Sequence, residues 1–194
     1  AMKKHLFLIC AAVAVILTSC VSSNRGKAAV SRNLSDRGVK NSRQLTEFFM
    51  RNNPDADIEQ VRRLAFYYIE EGNREGINSD CAFVQMCHET GFLKFGNLVT
   101  PEMHNYCGLG AIDENQRGLY FETEQLGVRA HIQHLHAYAK PEGFILNNDC
   151  VDPRYRYVKR GRAPTIEGLA GTWAADREYA IKLENKLSQL ERIK

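Results

Sequence analysis

Apolar residues recur at three- and four-residue intervals over most of residues 44–193, the spacing of helices that bury one face. Residues 44–52 are predicted as a short helix with Leu45, Phe48 and Phe49 on one side. Residues 57–71 form a second, through Ile58, Val61, Leu64, Ala65, Tyr68 and Ile69. A third starts from a cap at Ser79 or Asp80 and runs to about Thr90. Cys81, Ala82, Phe83, Val84, Met86 and Cys87 make it apolar nearly all round, so it belongs at the centre of a domain. Thr123 caps a fourth to Ala139, with Leu126, Val128, Ile132, Leu135 and Tyr138 inward. Two more are predicted over 165–173 and 176–193, the last with a Tyr179, Leu183, Leu187, Leu190 stripe and an i,i+4 pair of Glu178 and Lys182. Residues 101–122 are rich in Gly and Asn and predict loops, with a small β hairpin near 110–121. The five prolines all fall between these segments. The fold class is mainly α, or α+β with one small hairpin.

Upstream the pattern changes. Lys3 and Lys4 precede an apolar run over 6–17, the arrangement of a secretory signal peptide. The run ends Leu17-Thr18-Ser19-Cys20, which resembles a bacterial lipobox. That resemblance implies removal of residues 1–19 and lipidation of Cys20, and several acyl chains anchor stably where one does not. Residues 20–43 read as a flexible basic tether, with Arg25, Lys27, Arg32, Arg37, Lys40 and Arg43 against Asp36 alone, a net +5. Such a tether either lies against anionic headgroups or is simply solvated. Residues 44–194 are then the expected folded domain, and the lipobox resemblance implies a membrane-anchored lipoprotein of the bacterial cell envelope, periplasmic or at the outer membrane.

Composition narrows this further. A chain of 194 residues, 44% hydrophobic and 25% charged, is an ordinary globular one, not collagen-like, disordered or disulfide-dense. No run reaches the roughly 18 apolar residues of a spanning helix, which excludes a multi-span membrane protein. The overall charge of +3 hides a division, because residues 44–194 carry 18 basic and 22 acidic residues, a net −4. No nucleic-acid partner is expected from that balance. Four cysteines remain beyond Cys10 and Cys20, namely Cys81, Cys87, Cys107 and Cys150. An exported chain permits disulfides, with three possible connectivities, but Cys81 and Cys87 face different ways on one helix and should not bond each other.

Glu89 is the most informative residue, in the last turn of the most apolar helix and just before Gly91. Burial and the negative end of the helix both favour a carboxylic acid still protonated near neutral pH, as a general acid requires. The stretch His88-Glu89-Thr90-Gly91-Phe92-Leu93-Lys94-Phe95-Gly96 is similar to the Glu-x-Gly region of the endo-β-N-acetylglucosaminidases of glycoside hydrolase family 73. Asn105-Tyr106-Cys107-Gly108-Leu109-Gly110, Gly127-Val128-Arg129-Ala130-His131-Ile132-Gln133-His134-Leu135, and Trp173-Ala174-Ala175-Asp176 with Tyr179 and Lys182 resemble three further motifs of that family, in the same order. The resemblance implies a lysozyme-like helical domain with the hairpin lobe beside a substrate groove. It implies cleavage of the β-1,4 bond after N-acetylglucosamine in peptidoglycan glycan strands, with Glu89 as the general acid and no cofactor. A second carboxylate would come from Asp113, Glu114, Glu122 or Glu124, with Glu114 at the hairpin tip favoured. A separation of about 5–5.5 Å marks a retaining pair and about 6.5–9.5 Å an inverting one, while no near partner favours help from the substrate's own acetamido group.

Asn105, Tyr106, Gly108 and Trp173 are the expected substrate-binding residues, the aromatic ones because flat amphipathic rings suit sugar faces. Tyr179 is expected in the core. Arg154, Arg156, Lys159, Arg160 and Arg162 make a basic loop, either solvated or meeting acidic stem peptides. His131, His134 and His136 do not complete a zinc spacing, and no metal is expected. A rival from another class is an NlpC-type cysteine peptidase, since Asp80-Cys81-Ala82-Phe83-Val84-Gln85 resembles its nucleophile segment but lacks Ser-Gly. A non-catalytic peptidoglycan-binding lipoprotein is the other alternative. The protein is expected to act as a monomer.

Overall fold

A computed structural model describes residues 29–194. The signal segment, the lipidation candidate Cys20 and the first part of the expected tether lie outside the described residues. Five α-helices carry the fold: α1 (Ser42–Asn52), α2 (Ile58–Glu75), α3 (Ser79–Glu89), α4 (Glu124–Ala139) and α5 (Tyr179–Glu191). α3 is buried from Ser79 to Cys87, as its all-round apolar sequence predicts, and α1, α2, α4 and α5 pack around it. Phe49 and Tyr68 meet Phe83 edge-on at the centre of this core. This arrangement fits a lysozyme-like helical domain.

The helix ends follow side-chain chemistry that periodicity does not carry. α1 starts at Ser42 because Asn41 and Gln44 cap it reciprocally, each side chain bonding the other's backbone N–H at 3.0 Å. α2 runs past Glu71 to Glu75 and stops at Gly76, whose φ of 65° closes the turn. Glu71 and Glu75 are buried despite their charge. Glu71 accepts a two-pronged bond from Arg129, and Glu75 accepts from the N–H groups of Asn147 and Asn148. The cap of α3 is Asn78 and not Ser79 or Asp80. Asp80 instead accepts from the backbone N–H groups of Val39 and Lys40. Residues 165–173 form only a 3₁₀ turn over Glu167–Leu169, and Gly171, with a φ of 73°, takes the chain out of the helical region. At the start of α5, Lys182 pairs with Asp176 at 2.6 Å and not with Glu178.

The expected hairpin is absent among the described residues. Residues 110–121 hold one antiparallel bridge, Asp113 to Gln116, in an irregular loop. The loop is held by a buried side chain in place of a ladder. The Asn105 amide donates to the carbonyls of Leu109 and Leu119 at 2.9 and 3.0 Å, and its oxygen accepts from the Leu109 N–H.

The tether boundary also moves. Residues 30–41, expected to be flexible, are built into the domain. Val30 and Leu34 are 2% and 1% exposed. The Leu34 N–H bonds Pro164, and the Leu34 carbonyl accepts from Asn78. Arg32 pairs with Glu184 of α5, and the buried Lys40 ammonium donates to the carbonyls of Glu191 and Ile193. Two of the charges that make this stretch look like a solvated tether, Arg32 and Lys40, instead fix it to α5 and the residues after it. Leu34→Ala should therefore cost about 2–4 kcal/mol in urea unfolding. A midpoint equal to wild type would show that the segment does not pack.

Candidate active site

Glu89 ends α3, and the chain leaves the helix through a left-handed run: Gly91, Phe92, Leu93 and Phe95 have φ values of 58°, 56°, 60° and 52°. This is strained for non-glycine residues and persists because the surroundings hold it. Thr90 bonds the Leu93 N–H through its hydroxyl and the Phe95 N–H through its carbonyl, and the Phe92 ring packs on Phe48 and Phe49. The turn leaves the Glu89 carboxyl half-buried in the wall of a cleft.

The cleft has two lobes that meet at Glu89. One, of about 310 Å³, is lined by Glu89, Gly108, His134, Tyr138, Arg154 and Trp173, among others. The other, of about 140 Å³, is lined by Glu89, Thr90, Phe95, Asn97, Asn105 and Ala111, among others. Gly108 belongs to both, with a φ of 67° that a side chain would resist.

Two donors converge on one carboxyl oxygen. The Trp173 indole N–H reaches Glu89 Oε1 at 3.1 Å, and the Tyr179 hydroxyl donates to the same atom. With Oε1 occupied as an acceptor twice, Oε2 is the oxygen left to carry a proton. Burial raises the Glu89 pKa above the ordinary glutamate value, and the Tyr179 and Trp173 bonds pull it partly back.

The direction of the Tyr179 bond is set by a chain of buried groups. The Gln85 amide, one turn before Glu89 on α3, donates to the Tyr179 oxygen at 2.8 Å. The Gln85 carbonyl lies 3.0 Å from His131 Nε2, which must therefore carry the hydrogen. His131 Nδ1 is then the acceptor for the Tyr68 hydroxyl at 2.8 Å. Burial lowers the His131 pKa to about 3, so the ring is neutral, as this tautomer needs. Tyr68 on α2, His131 on α4, Gln85 on α3 and Tyr179 on α5 thus form one oriented line ending on Glu89. α4 also holds the indole. His131, His134 and Tyr138, at i, i+3 and i+7, put their rings 5.7, 5.1 and 5.3 Å from that of Trp173. His134 is fixed in turn by the buried Asp152 at 2.7 Å.

The residues expected from sequence separate here. Trp173 and Gly108 line the cleft, and Asn105 lines its smaller lobe, although its amide is committed to the loop. Tyr106 does not line it: the residue is 1% exposed and sits in the core, where its aromatic bulk outweighs its hydroxyl. Glu114 lines neither lobe. Its side chain is 83% exposed and lies 3.9 Å from Arg117, because the turn that would have been a hairpin tip points into solvent. Asp113 caps that turn through the N–H groups of Asn115 and Gln116, Glu122 is exposed, and Glu124 pairs with Arg63. Among the described residues, Glu89 is the one carboxylate that lines either lobe. Tyr179 is buried as expected but also touches the site, which its place in a leucine stripe concealed. Gln85 carries a signal: it is a polar residue one turn before Glu89 on a helix otherwise apolar. Cys81, the nucleophile of the peptidase alternative, is buried, its thiol donates to the Ser31 carbonyl, and burial pushes its pKa up. It is therefore not a thiolate. Cys81, Cys87, Cys107 and Cys150 are free thiols.

Residues 65–192 match the family described as mannosyl-glycoprotein endo-β-N-acetylglucosaminidase, also called Glucosaminidase. An uncharacterized protein of Borreliella burgdorferi is 37% identical over 193 residues, covering 95% of this chain and 94% of its own length.

Two outcomes follow from the Glu89 environment. Tyr179→Phe removes a bond that favours the carboxylate, so the Glu89 pKa should rise further in a carboxyl NMR titration; an unchanged value would remove Tyr179 from the site. A carboxyl with a raised folded-state pKa stabilises below its unfolded value, about 4.3, and that stability is lost as pH rises through the folded value. Glu89→Gln should therefore melt above wild type at about pH 8, with the gap closing towards about pH 4. A gap independent of pH would contradict the raised pKa.

Proposed function

Because the chain belongs to the mannosyl-glycoprotein endo-β-N-acetylglucosaminidase family, a family of glycoside hydrolases, we propose that it hydrolyses peptidoglycan at the β-1,4 bond following N-acetylglucosamine, with Glu89 as the general acid. The observation that carries this reading is the half-buried carboxyl at the meeting point of the two cleft lobes, with both donors on Oε1. Oε2–H gives its proton to the glycosidic oxygen as the bond to C1 breaks and its electron pair leaves with that oxygen. Charge then develops on Glu89 where the Trp173 and Tyr179 donors already point, so little has to reorganise.

With no second carboxylate lining the lobes among the described residues, the acetamido oxygen of N-acetylglucosamine is the group proposed to stabilise C1. It forms the new C1–O bond of an oxazolinium ion. Water opens that ion while the Glu89 carboxylate takes the water's proton, restoring the acid. Two displacements at C1 leave the product in the β configuration. We further propose that Cys20 is lipidated, which would hold the domain in the cell envelope beside its substrate.

Purified sacculi incubated with the protein should release fragments with N-acetylglucosamine at the reducing end, read by mass spectrometry. Glu89→Gln should slow this by a factor of about 100 to 10,000 while sacculus binding persists. Retained lysis would refute the assignment. Binding without sugar release by wild type would indicate a wall-binding module, and cut stem peptides a peptidase. Cys20→Ala should move the protein from the membrane to the soluble fraction, and recovery equal to wild type would overturn the lipidation proposal.

A further inference from the structure

The two lobes differ in charge. The smaller lobe is lined, apart from Glu89 itself, by uncharged residues such as Thr90, Asn97 and Asn105. The larger is lined by Arg154 on the other side of the acid. Arg154 is exposed, and among the described residues no carboxylate pairs with its side chain or with that of Arg162. The Arg162 guanidinium lies 6.0 Å over the ring of Tyr138, which lines the same lobe. Both arginines act on the Tyr138 hydroxyl, pulling its pKa down against the rise caused by burial. Two guanidinium groups, Arg154 in the lining and Arg162 over the Tyr138 ring, thus lie at one end of a cleft in which Glu89, pushed by burial towards its neutral form, is the one lining carboxyl among the described residues.

Arg154 is also mounted on a fixed support. The Gln133 carbonyl of α4 accepts from the N–H groups of Val151 and Asp152, and the Gln133 amide donates to the Asp149 carbonyl. Asp152 is 2% exposed, bonds His134 through one oxygen and accepts the Arg154 N–H with the other at 2.8 Å. Both of its oxygens are thereby engaged, one by the His134 ring and one by the loop backbone. Two other arginines of this loop are placed differently: Arg160 bonds the Phe144 carbonyl and stacks over Tyr155, and Arg156 lies over Tyr157.

We infer that the Arg154 end of the cleft is an anion subsite that takes a carboxylate borne by the muramyl leaving sugar, with Arg162 in support. The inference rests on the peptidoglycan reading above and adds a strand direction to it. N-acetylglucosamine, which is uncharged, occupies the smaller lobe, and the muramyl residue after the scissile bond lies towards Arg154. A planar guanidinium suits a carboxylate through two parallel bonds. The carboxylate has two possible sources, the lactyl group of a glycan stripped of peptide or the stem peptide itself, and an uncharged chitin oligosaccharide has neither.

The test compares the full chain and Arg154→Gln on three substrates: strands with stem peptides, strands stripped by an amidase, and a neutral β-1,4-linked N-acetylglucosamine oligosaccharide. The ratio of kcat/KM on a carboxylated strand to that on the neutral oligosaccharide should fall about tenfold in the variant, through KM, and wild-type KM on the carboxylated strand should rise with salt. A fall on stripped strands identifies the lactyl carboxylate, and a fall on peptide-bearing strands alone identifies the stem peptide. An unchanged ratio on both overturns the subsite. If wild type cleaves nothing, the hydrolase reading fails separately. The subsite is then read from calorimetric binding of stripped and peptide-bearing strands to Glu89→Gln with and without Arg154→Gln, where equal affinities would overturn it and a tenfold loss would support it.

Discussion

A carboxyl group held between protein and cleft is the constraint on which the rest of this structure depends. Removing water from Glu89 disfavours its charged form, and the folded chain accepts that cost at the end of its most buried helix. Both donors bond Oε1, so the acid is tuned rather than merely buried. Burial alone would hold the proton too firmly, whereas donors on both oxygens would stabilise the carboxylate and release it. Meeting at one oxygen gives that atom its partners and leaves the other to carry the proton.

Holding the donors there takes every layer of the fold. Trp173 comes from a loop and is steadied by three rings of α4. Tyr179 opens α5 and receives its orientation through Gln85 from His131 and Tyr68. A buried line of this kind is favourable only when each member is satisfied, because a lone unpaired group in the interior is costly. α5 is in turn held by the N-terminal arm, through Arg32 to Glu184 and Lys40 to the last carbonyls. Residues 30–41 therefore belong to the machinery that positions the site, not to the tether.

The asymmetry of the cleft joins chemistry to recognition. Asp152 is buried against His134, which packs on Trp173, and the same carboxylate seats the loop that carries Arg154. One buried acid thus supports both the indole that bonds the Glu89 carboxyl and the Arg154 cation that lines the larger lobe.

Much of this was legible in the chain. The period of the apolar residues located all five α-helices within a few positions of their ends, and the apolar surround of residues 81–87 put α3 at the centre. The motif around Glu89 and the later Trp173 segment marked the two ends of one hydrogen bond. The hairpin, the helix over 165–173 and the flexibility of residues 30–41 come out differently in the structure, each for a local reason: Asn105 replaces a ladder, Gly171 leaves the helical region, and Arg32 and Lys40 find partners on α5 and the residues after it. Sequence by itself determined which residues could be acids, cores and caps, because propensity and periodicity are local properties. Tertiary structure alone decided that Tyr106 is core, that Glu114 faces solvent, that Tyr179 bonds Glu89 and that Arg154 meets it across a cleft. Those outcomes depend on contacts between helices far apart in the chain, which no local pattern encodes.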